Sequence, residues 1–136
     1  MPEARFTVEV AGGVPVVATP EEIDINNAAQ MRAALLEAAE HGDGTLVVDM
    51  SGTQFCDSAG LHVLVRAHMQ AQAGGGELVL VLPGATVLRV FAITGIDRLI
   101  PNFPSLDQAV TQASAARPAS SSPALADPEP SSSPSS

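Results

Sequence analysis

Leu46-Val47-Val48-Asp49-Met50-Ser51-Gly52-Thr53-Gln54-Phe55-Cys56-Asp57-Ser58-Ala59-Gly60-Leu61 is the stretch whose reading decides the fold. Leu46 to Met50 is short, apolar and β-branched, as a buried strand should be. Ser51-Gly52-Thr53 breaks it. From there Leu61, Leu64, Val65 and Met69 recur at helical spacing, with Arg66 and Gln70 on the other side. That period predicts an amphipathic helix over Leu61 to Ala73, with those four residues as its apolar face. Ser58 therefore sits at a helix start, its hydroxyl beside the Asp57 carboxylate, where it can receive a phosphate. Asp and Ser are also favoured N-cap residues, because their oxygens accept bonds from the first free amides of a helix. Taken alone, the pair requires nothing beyond a cap.

Outward from this stretch, strands and helices alternate. Phe6 to Val10 and Val14 to Thr19 flank Ala11-Gly12-Gly13, a hairpin turn in which glycine permits positive φ. Asn27 with Gln30 three residues on has the form of a capping box, and Met31, Leu35, Ala38 and Ala39 supply an apolar face until Gly42. A strand over Thr45 to Met50 and the Leu61 helix follow, closed by Gly74-Gly75-Gly76. A strand over Glu77 to Leu82 stops at Pro83-Gly84. Ala85 to Thr94 reads as a third helix with Gly95 just past its end, and Ser105 with Gln108 caps a last helix running to about Ala115. Such alternation implies parallel pairings with helical crossovers, to which the opening hairpin adds antiparallel pairing. The expected fold is α/β, a mixed sheet of about five strands with four helices.

Composition sets the domain count and excludes several functions. The chain has 136 residues, and residues 1–116 suit one domain that buries about two-thirds of its unfolded-chain surface. Residues 117–136 hold eight Ser, five Pro and three Ala, with Leu125 the only large apolar side chain. Too little surface is available there to offset ordering entropy, so a disordered tail is expected. Leaving out Arg117, Asp127 and Glu129, the body keeps 13 acidic and five basic residues, a formal net charge of −8. An acidic body without lysine lacks the basic stripe that direct nucleic-acid binding needs. Met1 to Arg5 carry an acid and lead straight into a strand, unlike a signal peptide. Leu78 to Leu82 is far too short to span a bilayer, so no membrane insertion is expected. Cys56, a single cysteine with no internal disulfide partner, fits a cytoplasmic protein and reads as a small buried hydrophobe.

Three apparent catalytic motifs do not hold. Asp57-Ser58-Ala59-Gly60 resembles a serine-protease signature, but Cys56 stands where the leading glycine belongs, and the same residue breaks the Gly-x-Ser-x-Gly elbow. His41 reads as a helix C-terminal residue facing the dipole; His62 and His68 are the other two possible imidazole bases, and no Ser-His hydrolase is expected. Gly74-Gly75-Gly76 runs from helix into strand, whereas phosphate cradles run from strand into helix. No spacing of Cys, His or acids suggests a metal site. No enzyme, cofactor or metal is expected.

The whole stretch from Leu46 into the helix resembles the signature of the STAS domain family, named for sulfate transporters and anti-sigma factor antagonists. Glu22-Ile23-Asp24, after a strand and before a helix, is similar to the family's Gly-Glu-hydrophobic-Asp element, with Glu21 in the place of the usual Gly. Val90-Phe91-Ala92-Ile93-Thr94-Gly95-Ile96-Asp97-Arg98-Leu99 resembles its penultimate helix and following turn. The resemblance spans roughly residues 5 to 112. It implies a phosphorylation-switched binding module of the anti-sigma factor antagonist type. In its unmodified form such a domain binds an anti-sigma factor that is also a serine kinase with a histidine-kinase-like ATPase fold, which frees a sigma factor. Phosphorylation of the motif serine, here Ser58, ends the interaction, and a metal-dependent serine phosphatase reverses it. The partner surface implied is Glu22, Asp24, Asp57, Ser58, Ala59, Gly60, Leu61 and His62. An alternative within the same fold is an accessory subunit of a membrane lipid or anion transporter, with Ser58 an unmodified contact.

Overall fold

Residues 6–116 are described by the computed structural model; the expected tail at 117–136 lies outside them. The chain begins with β1 (Thr7–Ala11), β2 (Val14–Ala18), β3 (Glu22–Ile23) and α1 (Ala28–His41), followed by β4 (Leu46–Asp49), β5 (Phe55–Cys56) and α2 (Ser58–Ala73). It continues through β6 (Leu78–Val81), α3 (Ala85–Thr94), α4 (Ile96–Leu99), β7 (Asn102–Phe103) and α5 (Leu106–Ala116). Five strands form one sheet in the order β1-β2-β4-β6-β7. Only β1 with β2 is antiparallel, closed by Gly12 and Gly13 with φ of 60° and 80°. Both central residues of the turn need positive φ, which glycine alone adopts without cost. β2, β4, β6 and β7 are parallel neighbours, so the expected mixed α/β fold is the one observed.

The central strands read as unbroken apolar runs because both faces of the sheet are covered. Val17, Leu46, Val48, Leu78 and Leu80 point to one face, where Met31, Leu35, Leu64, Val87 and Phe91 of the helices close the main core. Val14, Val16, Val47, Val79 and Val81 point to the other, covered by Ala109 and Ala113 of α5.

Four local expectations need correction. Five helices are present, because one further turn, α4, folds directly after Gly95, whose φ of 86° reverses the chain. α2 begins at Ser58, not Leu61, and its buried face is Gly60, Leu64, His68 and Ala71, while Met69 is 60% exposed. Hydropathy misplaced that stripe because a glycine and a histidine occupy two of its four buried positions. Asn27 does precede α1, but its side chain makes no capping bond. Finally, β3 and β5 form a separate two-residue parallel ladder, Glu22 with Phe55 and Ile23 with Cys56, that is too short to show a period in sequence.

Candidate functional site

The β3–β5 ladder brings the loop after β2 against the loop after β4. Glu21 accepts from the amides of Gln54 at 2.7 Å and Phe55 at 3.2 Å, and the Asp57 amide donates to Ile23 at 3.0 Å. Beneath it, the Thr53 hydroxyl is buried, 2.6 Å from the Thr19 hydroxyl and donating to the Pro20 carbonyl at 2.7 Å. Glu21 adopts negative φ, so the backbone here does not require the family's glycine.

Asp57 fastens the two loops to the start of α2. One carboxylate oxygen accepts from the Gly60 amide at 3.1 Å, capping the helix, and the other accepts from the Ile25 amide at 3.1 Å. Asn27 instead closes its own loop, donating to the Glu22 carbonyl at 2.8 Å and accepting from the Asp24 amide at 2.9 Å. The Asp24 carboxylate accepts from Asn26 at 2.9 Å. Helix α2 approaches the ladder so closely that a Cβ on Gly60 would lie 2.6 Å from Ile23 Cγ2 and 2.7 Å from Cys56 Sγ. Burial, with the Asp57 charge adding to it, pushes the Cys56 thiol up to about 12, so Cys56 is packing and no nucleophile.

Ser58 is left exposed at the first position of α2. Its hydroxyl has no hydrogen-bond partner among the described residues. It stands at the rim of a groove of about 480 Å³, walled on one side by Leu61, His62 and Val65 of α2 and on the other by Thr94, Gly95, Ile96 and Leu99. Glu22 is exposed beside Phe55, Asp24 is half-buried, and Asp57 joins their loop to α2. Ala59 and Leu61 are half-buried and His62 is exposed. The eight expected residues thus share one end of the molecule, with one difference in kind: Gly60 is buried and serves the packing.

Residues 5–109 match the sequence profile of the STAS domain family. The chain belongs to this family. Among curated STAS-type relatives, it is 31% identical over 108 residues to the anti-sigma-F factor antagonist RsfB of Mycobacterium tuberculosis, covering 78% of this chain and 88% of RsfB. A crystal structure of an anti-sigma factor antagonist from Mycobacterium paratuberculosis superposes with a TM-score of 0.73 at 30% identity, covering 82% and 94% of the two chains. The Bacillus protein SpoIIAA in its phosphorylated form shares the fold, with a TM-score of 0.62 at 22% identity over 79% of this chain and 98% of that one.

Sequence reasoning missed the apolar neighbours of Ser58. Phe55 is 49% exposed, Ile25 74% and Leu99 49%; Leu99 lines the groove with Ser58, Phe55 stands in the ladder, and the Ile25 amide bonds Asp57. A hydropathy reading assigns such residues to the core, and only the ladder and the α3–α4 turn reveal that they face outward.

Proposed function

We propose that the protein is an anti-sigma factor antagonist whose hold on its partner is released by phosphorylation of Ser58. The observation that carries this reading is the free, exposed Ser58 hydroxyl at the rim of an apolar groove, on a helix start that Asp57 fixes in place. RsfB is an anti-sigma-F factor antagonist and SpoIIAA has a phosphorylated form, which supports extending both properties to this chain. The partner is an anti-sigma factor with serine kinase activity on a histidine-kinase-like ATPase fold, in the cytoplasm, and a metal-dependent phosphatase resets the switch. No helix among the described residues is long and apolar enough to cross a membrane.

The chemistry follows from the helix start. A phosphate adds a charge of about −1.5 to −2 and three acceptor oxygens. Asp57 occupies the Gly60 and Leu61 amides, which leaves those of Ser58 and Ala59 to face the anion. The dipole at a helix N-terminus favours an anion by roughly 0.3 to 1 kcal/mol, so the fold tolerates the modification. At the interface the same dianion must be desolvated beside the Asp57 carboxylate. A cost of about 3 kcal/mol there weakens binding more than a hundredfold.

Two measurements test this reading. Incubated with its kinase and ATP, the protein gains one phosphate by intact mass, and peptide mapping places it on Ser58; a phosphate that persists in Ser58→Ala would overturn the assignment. In titration calorimetry Ser58→Ala binds the kinase and Ser58→Asp binds it far more weakly, while both melt like the parent. Equal affinities would remove the switch.

A further inference from the structure

A second groove, of about 240 Å³, runs along the seam between α1 and α2 on the other side of His62 from Ser58. Arg32 lines it from α1 and Arg66 from α2. The whole chain carries six arginines, no lysine and a formal net charge of −9. Two of those six cations therefore line one small groove. Neither has an ion-pair partner among the described residues, although acidic side chains outnumber them in the chain. Like charges brought to one cleft repel each other, and an anion between them turns that repulsion into attraction. Guanidinium groups also present a planar fork of donors that matches phosphate and carboxylate oxygens.

Besides the arginines the groove is lined by apolar Leu36, Val63 and Ala67 and by polar His62 and Gln70. Its size lies below the roughly 300 to 1,000 Å³ usual for drug-sized ligands, so the occupant is small. Two cations at its walls favour a dianion over a single carboxylate. We infer that the α1–α2 seam binds a small phosphate monoester with an apolar body, its phosphate held between Arg32 and Arg66 and its body against Leu36, Val63 and Ala67. This site does not depend on modification of Ser58 or on the identity of the protein partner.

The test is a titration of the full-length, 15N-labelled protein with phenyl phosphate, followed by amide chemical shifts. Saturable shifts are expected at Leu36, Val63 and Ala67, with Gln108 and Thr111 of α5 unmoved. Inorganic phosphate, which lacks the apolar body, should bind several-fold more weakly, and phenol, which lacks the charge, should not saturate. Arg32→Gln and Arg66→Gln should each weaken phenyl phosphate about tenfold or more, the worth of a hydrogen bond to a charged group, while Ser58→Ala binds as the parent does. In the unaltered protein, raising NaCl from about 0.05 to 0.5 M should weaken binding through screening; this arm needs no variant to fold. Shifts that never saturate, that survive the double substitution in a folded protein, or that ignore salt would overturn the site. Equal affinity for phenyl phosphate and inorganic phosphate would overturn the role given to the apolar floor.

Discussion

Helices α1 and α2 open on closely related residues, Asn27 and Asp57, each following a short strand of the same two-residue ladder. Asp57 caps its helix and reaches across to Ile25. Asn27 turns its side chain back onto Glu22 and Asp24 and leaves its helix uncapped. The carboxylate can only accept, so both of its oxygens take amides from two different segments; the carboxamide can also donate, so it closes a loop by bonding in both directions. An Asx residue before a helix thus says where a helix starts without saying what the side chain holds.

The strongest way to break the comparison is to fill the third residue after each Asx. Gly60→Val forces atoms onto Ile23 and Cys56 and should lose about 3 kcal/mol in urea unfolding. Gln30 holds the matching place in α1 and is exposed, so Gln30→Val should lose less than about 1 kcal/mol. Equal losses would mean that α2 is not clamped more tightly than α1.

Next in size are the two Asx residues themselves. Asp57→Ala removes a cap and an inter-loop bond and should cost about 2 kcal/mol, with faster hydrogen exchange at Gly60 and Ile25. Asn27→Ala should cost about 1 kcal/mol and speed exchange at Asp24 while leaving Gln30 unchanged. Faster exchange at Gln30 would restore Asn27 to the role of a cap.

Cys56 lies under the same clamp. With its thiol near 12, roughly one molecule in 10⁵ carries the thiolate at neutral pH. A thiol reagent should therefore label the native protein far more slowly than the urea-unfolded one; comparable rates would show that the β3–β5 ladder opens readily.

The smallest expected effect concerns the faces of the two helices. Where α1 buries Met31 and Leu35, α2 buries His68, whose Nδ1 has no hydrogen-bond partner, as is also true of Glu77 Oε1. Burial pushes His68 down from its ordinary 6.5, and the Glu77 carboxylate partly opposes this. The unfolded chain therefore takes up a proton near pH 6.5 that the folded imidazole refuses. The associated stability is fully present above that pH and is lost as pH falls toward the depressed folded value. Melting at pH 7.5 and 5.5 should show a larger acid loss in the parent than in His68→Leu, and identical losses would remove His68 as the cause.

Much of this architecture was legible in sequence because it depends on period and punctuation. The bounds of α3 follow from Pro83-Gly84 and Gly95, and Ser105 does cap α5, accepting from the Gln108 amide at 3.2 Å. The place of Ser58 at a helix start was readable because a motif surrounds it. What escaped was contact between segments distant in sequence: the two-residue ladder, the double duty of Asp57, and the outward side chains of Phe55, Ile25 and Leu99. The stripe on α2 escaped because Gly60 is buried for what it lacks, and His68 despite its polarity.

The ladder also sets what a short synthetic copy of this site would be worth. A peptide of residues 51–66 would carry the serine and its flanking aspartate. It would lack the Ile23 wall, the Ile25 amide that holds the second oxygen of Asp57, and the α3–α4 side of the groove. On the proposed phosphorylation of Ser58, a kinase that reads the shape around it would read a folded epitope, so linear substrate motifs and peptide arrays would be the wrong instruments for finding that kinase.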